Sequence, residues 1–285
     1  MDREQLTGRN VIVQGITGTH GSFHASAMQA AGTNIVAGTS PGKAGQVVDG
    51  IPVYDSIKAI KENFSVDTSV IFVPAPFAKS ALLEAIQEDI ALIVCITEGI
   101  PIHDMIEVFQ NAKEKNITIL GPNCPGVLLP GITKLGIIPA QLGNAGSAGI
   151  VSRSGTITYE VAAGVSAKGI GQRYVIGIGG DRIHGVGFID CLELFQNDPE
   201  VKQIVLIGEV GGTEELAAAK YIQENSMKPV FAYIAGHSAP EGTQLGHAGA
   251  ILGEQSESAS YKSRALKEAG AQVFDSITEL VRAIE

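Results

Sequence analysis

His247 stands in the run Gln244-Leu245-Gly246-His247-Ala248-Gly249-Ala250, with small residues on both sides. A core histidine is usually held by bulky neighbours. One flanked by glycine and alanine can be approached by a phosphate and carried on a loop. To act as a nucleophile its attacking nitrogen must be unprotonated, which is set by what the other ring nitrogen donates to. Glu209, at the end of an apolar run, is the candidate acceptor, because an unpaired carboxylate at a buried strand end is costly. A salt bridge from Glu209 to Arg153 or Arg182 is the competing assignment. No second His, Cys or acid stands at ligand spacing to His247, so a metal role is not expected.

Two glycine-rich turns offer a phosphorylated imidazole somewhere to sit. Ser154 and Gly155 belong to Val151-Ser152-Arg153-Ser154-Gly155-Thr156, and Gly211 and Gly212 to Gly208-Glu209-Val210-Gly211-Gly212-Thr213. Each leads from a predicted strand into a predicted helix, whose free N–H groups and positive dipole end favour an anion by roughly 0.3–1 kcal/mol. Ordinary helix capping is the alternative for both.

A third turn, Gly15-Ile16-Thr17-Gly18-Thr19-His20-Gly21, has the spacing G-x-x-G-x-x-G and lets backbone approach a diphosphate. It is neither the dinucleotide fingerprint nor a Walker A loop. About 20 residues on, NAD-binding folds place an acid for the ribose hydroxyls. This chain reads Gly38-Thr39-Ser40-Pro41-Gly42-Lys43 there. A lysine among hydroxyls suits a phosphorylated ribose, as in NADP or the 3′-phospho-ADP of CoA; an exposed turn lysine is the alternative.

The elements that position these turns are short β-branched runs, each followed by a helical pattern. They fall at 11–14, 35–37, 70–73, 92–96 and 117–120, then at 149–152, 174–178, 204–207, 230–234 and 272–274. Nearly continuous apolar strands alternating with helices predict an α/β chain with parallel sheets covered on both faces, whose ligands lie beyond the strands' carboxyl ends. The length of 285 residues accommodates two doubly wound domains. We expect a Rossmann-like domain over 1–125, a connecting segment over 126–148 and a second domain over 149–285.

Hydrophobic residues at 45% against 18% charged fit substantial buried sheet, and the net charge of −10 argues against nucleic acid or an anionic membrane as partner. No apolar run approaches the roughly 18 residues that cross a bilayer. The start, Met1-Asp2-Arg3-Glu4-Gln5, has no signal core. Cys95, Cys124 and Cys191, odd in number and far apart, read as reduced thiols of a cytoplasmic or organelle-matrix protein.

Together these stretches resemble the alpha subunits of succinyl-CoA synthetases, the succinate–CoA ligases. The matching segments are GITGTHGSFH (15–24), PGKAGQ (41–46), VPAPFA (73–78), ITEGIP (96–101), GPNCPGV (121–127), SRSGTITYE (152–160), GIGGD (177–181), GEVGGT (208–213) and GHAGAI (246–251), co-linear along the chain. The resemblance implies a CoA-binding first domain and a flavodoxin-like ligase domain. Thr17, Gly18, Thr19 and His20 match its CoA phosphate turn, Lys43 an adenosine-side contact, and Ile96, Thr97 and Glu98 further CoA contacts. Tyr159 matches a carboxylate-substrate residue, His247 the phosphorylated histidine and Glu209 the glutamate that supports it. It also implies a beta subunit whose ATP-grasp domain binds ATP or GTP with magnesium, in a heterodimer or heterotetramer. The implied reaction joins succinate to CoA through phosphohistidine and succinyl phosphate. Thr243-Gln244-Leu245 stands where bacterial relatives have Lys-Arg-Met, and Gly253-Glu254-Gln255-Ser256-Glu257 where they have Gly-Gly-Lys-Gly-Thr; Arg182 replaces a proline after Asp181, with His184 close by. A CoA ligase for malate, a non-catalytic CoA-binding regulatory module and an NADP-dependent dehydrogenase are the other readings.

Overall fold

The computed structural model describes residues 1–237, 249–251 and 254–285. Its first sheet comprises β1 (Val11–Gln14), β2 (Ile35–Thr39), β3 (Val47–Val48), β4 (Ile51–Tyr54), β5 (Thr68–Ile71), β6 (Leu92–Cys95) and β7 (Thr118–Leu120). The order is β3-β4-β2-β1-β5-β6-β7, all parallel except β3, which pairs antiparallel with β4. Without β3 this is the doubly wound order of a Rossmann fold, reversing between β1 and β5. The helices of this half are α1 (Arg3–Leu6), α2 (Thr19–Ala30), α3 (Ile57–Lys61), α4 (Ala75–Gln87) and α5 (Ile102–Glu114). β1, β5 and β6 are buried along their whole length, which explains their mostly apolar sequences; among the polar exceptions Gln14 and Ser69 bond each other, Ser69 Oγ donating to Gln14 Oε1 at 2.8 Å.

The second sheet comprises β8 (Gly126–Leu129), β9 (Thr133–Gly136), β10 (Ala145–Ser152), β11 (Gln172–Gly177), β12 (Gln203–Glu209), β13 (Val230–Ala235) and β14 (Gln272–Phe274). Its order is β14-β13-β12-β10-β11-β8-β9, with β10 to β14 parallel and the β8–β9 hairpin antiparallel on the β11 side. Its helices are α6 (Gly155–Ala167), α7 (Phe188–Asn197), α8 (Glu214–Asn225), α9 (Ala259–Glu268) and α10 (Ile277–Ala283). Residues 126–148 thus hold β8, β9 and the first part of β10. The two hairpins, β3–β4 and β8–β9, are antiparallel additions to the expected parallel series.

The halves are not separate bodies. Ala25 and Met28 of α2, Cys124 after β7, Val127 of β8, Leu135 of β9, and Val151 and Ile176 of the second sheet share one buried apolar cluster. The Val, Leu, Ile and Met side chains among them contribute about 1.5–3 kcal/mol each on full burial, so the cluster fixes how the two sets of strand ends face each other. Among the described residues no helix is long and apolar enough to cross a membrane.

Candidate active site

In the first half the chemistry-bearing turns meet at the carboxyl ends of β1, β5 and β6. The chain leaves β1 through Gly15, whose φ of +82° a side chain would strain. It enters α2 at Gly18, whose N–H donates to Gly15 O at 3.0 Å. A Cβ at Gly21 would come within 2.2 Å of that same Gly15 oxygen, so this glycine lets the helix start lie against the turn. Thr19 and His20 open the helix and are exposed, as an anion-binding helix start requires. The Thr17 hydroxyl donates to Ser40 Oγ at 2.9 Å and ties this turn to the one after β2. Lys43 lies in that second turn with its side chain exposed; its N–H is shared between Ser40 O at 3.0 Å and Asp55 Oδ1 at 3.1 Å.

Beside the turn a cleft of about 310 Å³ runs between His20 and His24 on one side and Phe72, Val73, Ile96, Thr97 and Glu98 on the other, with Ile137 of the second half closing it. That is the lower end of the size range for small-molecule sites. Thr97 is pinned by its hydroxyl, which donates to Val73 O at 2.7 Å. The structure therefore brings Ile96, Thr97, Glu98 and His20 together, with Thr17 and Gly18 at the adjoining turn; Lys43 stands outside the cleft wall. His24 was not singled out from the sequence. Its ring stacks on Phe72 at 5.5 Å, and burial first, then the Lys134 and His20 charges, hold its pKa down to about 4. It is accordingly a neutral ring in the cleft wall, and its buried Nδ1 has no hydrogen-bond partner among the described residues.

In the second half the two glycine-rich turns leave neighbouring strands, since Ser152 of β10 registers with Ile207 of β12. Ser154 is the N-cap of α6, its Oγ accepting from the Ile157 N–H at 3.4 Å. Gly155 has no neighbour within 4 Å of a Cβ position, leaving that helix start open. Thr213 begins α8 without a side-chain cap. Between the two starts lies a cluster of four buried charges. Arg153 Nε is 3.4 Å from Glu209 Oε1, and its Nη1 is 3.5 Å from Glu215 Oε1 and donates to Gly211 O at 3.2 Å. Lys262 Nζ donates to Glu209 O and Gly211 O, each at 2.7 Å, and to the Glu215 carboxylate. Glu215 and Lys262 are fully buried, and desolvation holds the Lys262 pKa down. Glu209 is thus paired with Arg153, while its other expected partner, His247, falls outside the described residues.

His247 lies outside the described residues, as do Thr243, Gln244, Leu245 and Gly253. The segment just after it is described and tightly held. The Gly249 N–H donates to Gly180 O at 2.9 Å. A Cβ at Gly211 would come within 2.2 Å of Gly249 O, and one at Gly249 within 2.9 Å of Arg153 Nη2. Glycine at both positions is therefore what lets this segment thread between the Gly211 turn, Arg153 and Gly180. Next to it is a second cavity of about 310 Å³ lined by Arg153, Arg182, His184, Gly212, Thr213 and Glu214, among others. His184 Nε2 is 3.0 Å from Glu214 Oε2 and its Nδ1 is 3.0 Å from Asp181 O. Burial presses that ring towards neutrality, but Glu214 outweighs it and raises the pKa. Tyr159 sits half-buried on α6, its phenol pKa raised by burial and then by Cys124. Cys95, Cys124 and Cys191 are buried free thiols, and burial pushes the Cys95 pKa up to about 12.

Lys262 and Glu215 were missed from the sequence. A lysine on a mostly polar helix and an acid in a helix's first turn both read as surface residues, and only the fold places them 47 positions apart in one buried pair.

Residues 7–99 match the family of CoA binding domains, and residues 151–272 match the CoA-ligase family. The chain is 50% identical over 274 residues to the succinate–CoA ligase (ADP-forming) alpha subunit 2 of Archaeoglobus fulgidus, covering 96% of this chain and 95% of that one. It is equally identical, 50% over 267 residues, to the succinate–CoA ligase (ADP-forming) alpha subunit of Aquifex aeolicus, covering 93% and 88%. The fold superposes on ATP citrate lyase from Methanothrix soehngenii in complex with citrate and coenzyme A, with a TM-score of 0.87 at 26% identity. That match covers 97% of this chain and 49% of the lyase chain, so this chain spans about half of that protein.

Proposed function

Because the chain belongs to the family of succinate–CoA ligase alpha subunits, we infer that it is the CoA-binding, phosphohistidine-carrying subunit of a ligase that reversibly forms succinyl-CoA. The terminal phosphoryl group of ATP or GTP passes to a ring nitrogen of His247, releasing the diphosphate. A carboxylate oxygen of succinate then attacks phosphorus, which frees His247 and gives succinyl phosphate. The CoA sulfur attacks the acyl carbon, loses its proton and expels inorganic phosphate.

The residues divide this work. Thr17, Gly18, Thr19 and His20 hold the diphosphate of CoA at a helix start, Lys43 meets its 3′-phosphate, and Ile96, Thr97 and Glu98 flank the arm that carries the thiol. Glu209 accepts a hydrogen bond from His247 while paired to Arg153, Ser154, Gly155, Gly211 and Gly212 face the phosphoryl group with backbone N–H groups, and Tyr159 borders the acid. Residues 1–125 form the CoA unit and 149–285 the unit that carries the histidine, joined by 126–148. We assign the nucleotide and its magnesium to the ATP-grasp domain of a beta subunit, in a heterodimer or heterotetramer in the cytoplasm or an organelle matrix.

What supports this most is the seat of Gly249, two positions after His247 in sequence, against Arg153 and between the Gly211 and Gly180 turns. Labelled triphosphate in the assembled complex should leave an acid-labile, base-stable phosphoryl group on His247. Equal labelling of His247→Asn would refute the assignment, and turnover with malate but not succinate would replace the acid.

A further inference from the structure

The segments GPNCPG (121–126) and GIGGD (177–181) have no role in the scheme above, yet they are the join between the CoA cleft and the seat of Gly249. Asn123 is at their centre. Its N–H donates to Thr97 O at 2.9 Å, which ties it to the cleft wall. Its own carbonyl accepts from the Gly180 N–H at 3.3 Å, and Gly180 O in turn accepts from the Gly249 N–H at 2.9 Å. Three main-chain hydrogen bonds therefore run from a cleft residue, across the boundary between the halves, to the segment that follows His247. The side chains reinforce the crossing: Asn123 Nδ2 donates to Asp181 Oδ1 at 2.9 Å, and Asp181 is 8% exposed.

The surroundings leave this join little freedom. Gly185 N–H donates to Gly121 O at 3.1 Å and Val186 N–H to Ile119 O at 2.8 Å. A Cβ at Gly179 would lie 2.4 Å from Pro122 O, and one at Gly177 would lie 2.1 Å from Pro125 Cγ. Asn123 itself has a φ of +53°, the left-handed region that asparagine and aspartate enter more readily than other side chains. Both the residue type and its partner are thus set by the place: a short polar side chain, left-handed backbone and an amide that reaches a nearly buried carboxylate.

We propose that Asn123 and Asp181 are positioning residues that fix the Gly249 end of the histidine segment relative to the cleft that receives the CoA arm, so that the acyl phosphate formed at His247 lies within reach of the CoA sulfur. This rests on the ligase reading above. Neither residue lines the CoA cleft, so CoA affinity is set elsewhere, whereas the separation between that cleft and the seat of Gly249 is set through them. A displacement on the order of 1 Å in such a frame is enough to cost a reaction about 100-fold.

The test is a side-chain exchange in the assembled enzyme. Asn123→Asp keeps a residue suited to the left-handed backbone but sets two carboxylates against each other. Asn123→Asp with Asp181→Asn restores one amide–carboxylate bond with its direction reversed. We expect the single variant to lower kcat by on the order of 10-fold or more with the KM for CoA within about threefold, and the exchange to recover most of kcat, as coupled residues do. Asn123→Ser, which is too short to reach Asp181, should also lose kcat and serves if the aspartate variant does not fold. Wild-type kcat in the folded single variants would overturn the proposal. So would kcat, the KM for CoA and thermal stability worsening together with no recovery in the exchange. Failure of the ligase reading itself is seen separately, as absence of acyl-CoA formation by the wild-type complex.

Discussion

Replacing Lys262 with methionine removes the ammonium that holds the Glu209–Gly211 turn and neutralises Glu215. Three acceptors each lose a donor at once: Glu209 O, Gly211 O, which keeps Arg153 Nη1 at 3.2 Å, and a fully buried Glu215 carboxylate. Breaking a buried ion pair by deleting one partner costs about 3–5 kcal/mol, because the other charge is left behind. Glu215 keeps Arg153 Nη1 at 3.5 Å and the Glu209 N–H at 3.1 Å, so the lower end applies. We expect a loss of about 3 kcal/mol, which at a urea slope of roughly 1–3 kcal/mol/M lowers the midpoint by about 1 M or more. The chain has six tyrosines and no tryptophan, so circular dichroism in the far ultraviolet is the suitable probe. Adding Glu215→Gln removes the stranded carboxylate and should return at least about 1 kcal/mol, a coupling that independent sites would lack. An unchanged midpoint in Lys262→Met, or a double variant weaker than the single by the full cost of Glu215→Gln alone, would refute this account of the cluster.

Lys43→Ala should weaken CoA binding by about 1–2 kcal/mol, read by calorimetry, and dephospho-CoA should show a smaller penalty if the contact is the 3′-phosphate. Glu209→Gln should keep the fold and CoA affinity but slow single-turnover phosphorylation of His247 by on the order of 10–100-fold; a wild-type rate would deny Glu209 a part in that step. The His184–Glu214 pair makes stability depend on pH. His184 is raised above its ordinary value of 6.5, so its contribution is complete below that value and is lost as pH rises through the folded pKa. Glu214 is held below its ordinary 4.5, so its contribution is present above that and is lost as pH falls through the folded pKa. The melting-temperature gap between wild type and His184→Asn should therefore narrow as pH rises above 6.5 and through the raised folded pKa, and a constant gap would deny the pair its charge.

The turns were legible because their requirements are local. Gly15, Gly18 and Gly21 announce a strand-to-helix turn from spacing alone, and Ser154 announces its cap. The β8–β9 hairpin was not legible: both strands are four residues long and buried throughout, so they lack the polar alternation that marks a hairpin. Pro52 obscured β4 in the same way, since a proline argues against a strand except near an edge. What no local pattern carries is pairing at a distance. Nothing near Asn123 in the sequence points to Asp181, 58 positions on, nor anything near Lys262 to Glu215. The candidate ligand residues could be named from the chain, but the framework that sets their separation is a property of the fold.

That framework also decides where attraction for a phosphoryl group comes from. Arg153 and Lys262 are the buried cations beside the Gly211 turn, and two carboxylates, Glu209 and Glu215, lie within the same cluster. Two positive and two negative charges cancel there, in a chain whose net charge is −10. A dianionic phosphoryl group brought to this place is therefore not met by an excess of fixed positive charge. It is met by the uncapped start of α8, the open start of α6 at Gly155, and Arg182, the exposed cation of the adjoining cavity. The two helix starts are neutral dipoles, which stabilise the group without trapping it as a dense cluster of cations would, and this suits the reversibly formed phosphohistidine proposed above. Adding fixed positive charge, as in Thr213→Lys, should on this argument slow discharge of phospho-His247 to succinate more than its formation. Equal effects on both steps, measured by single-turnover labelling and chase, would mean that the helix starts are not what holds the group.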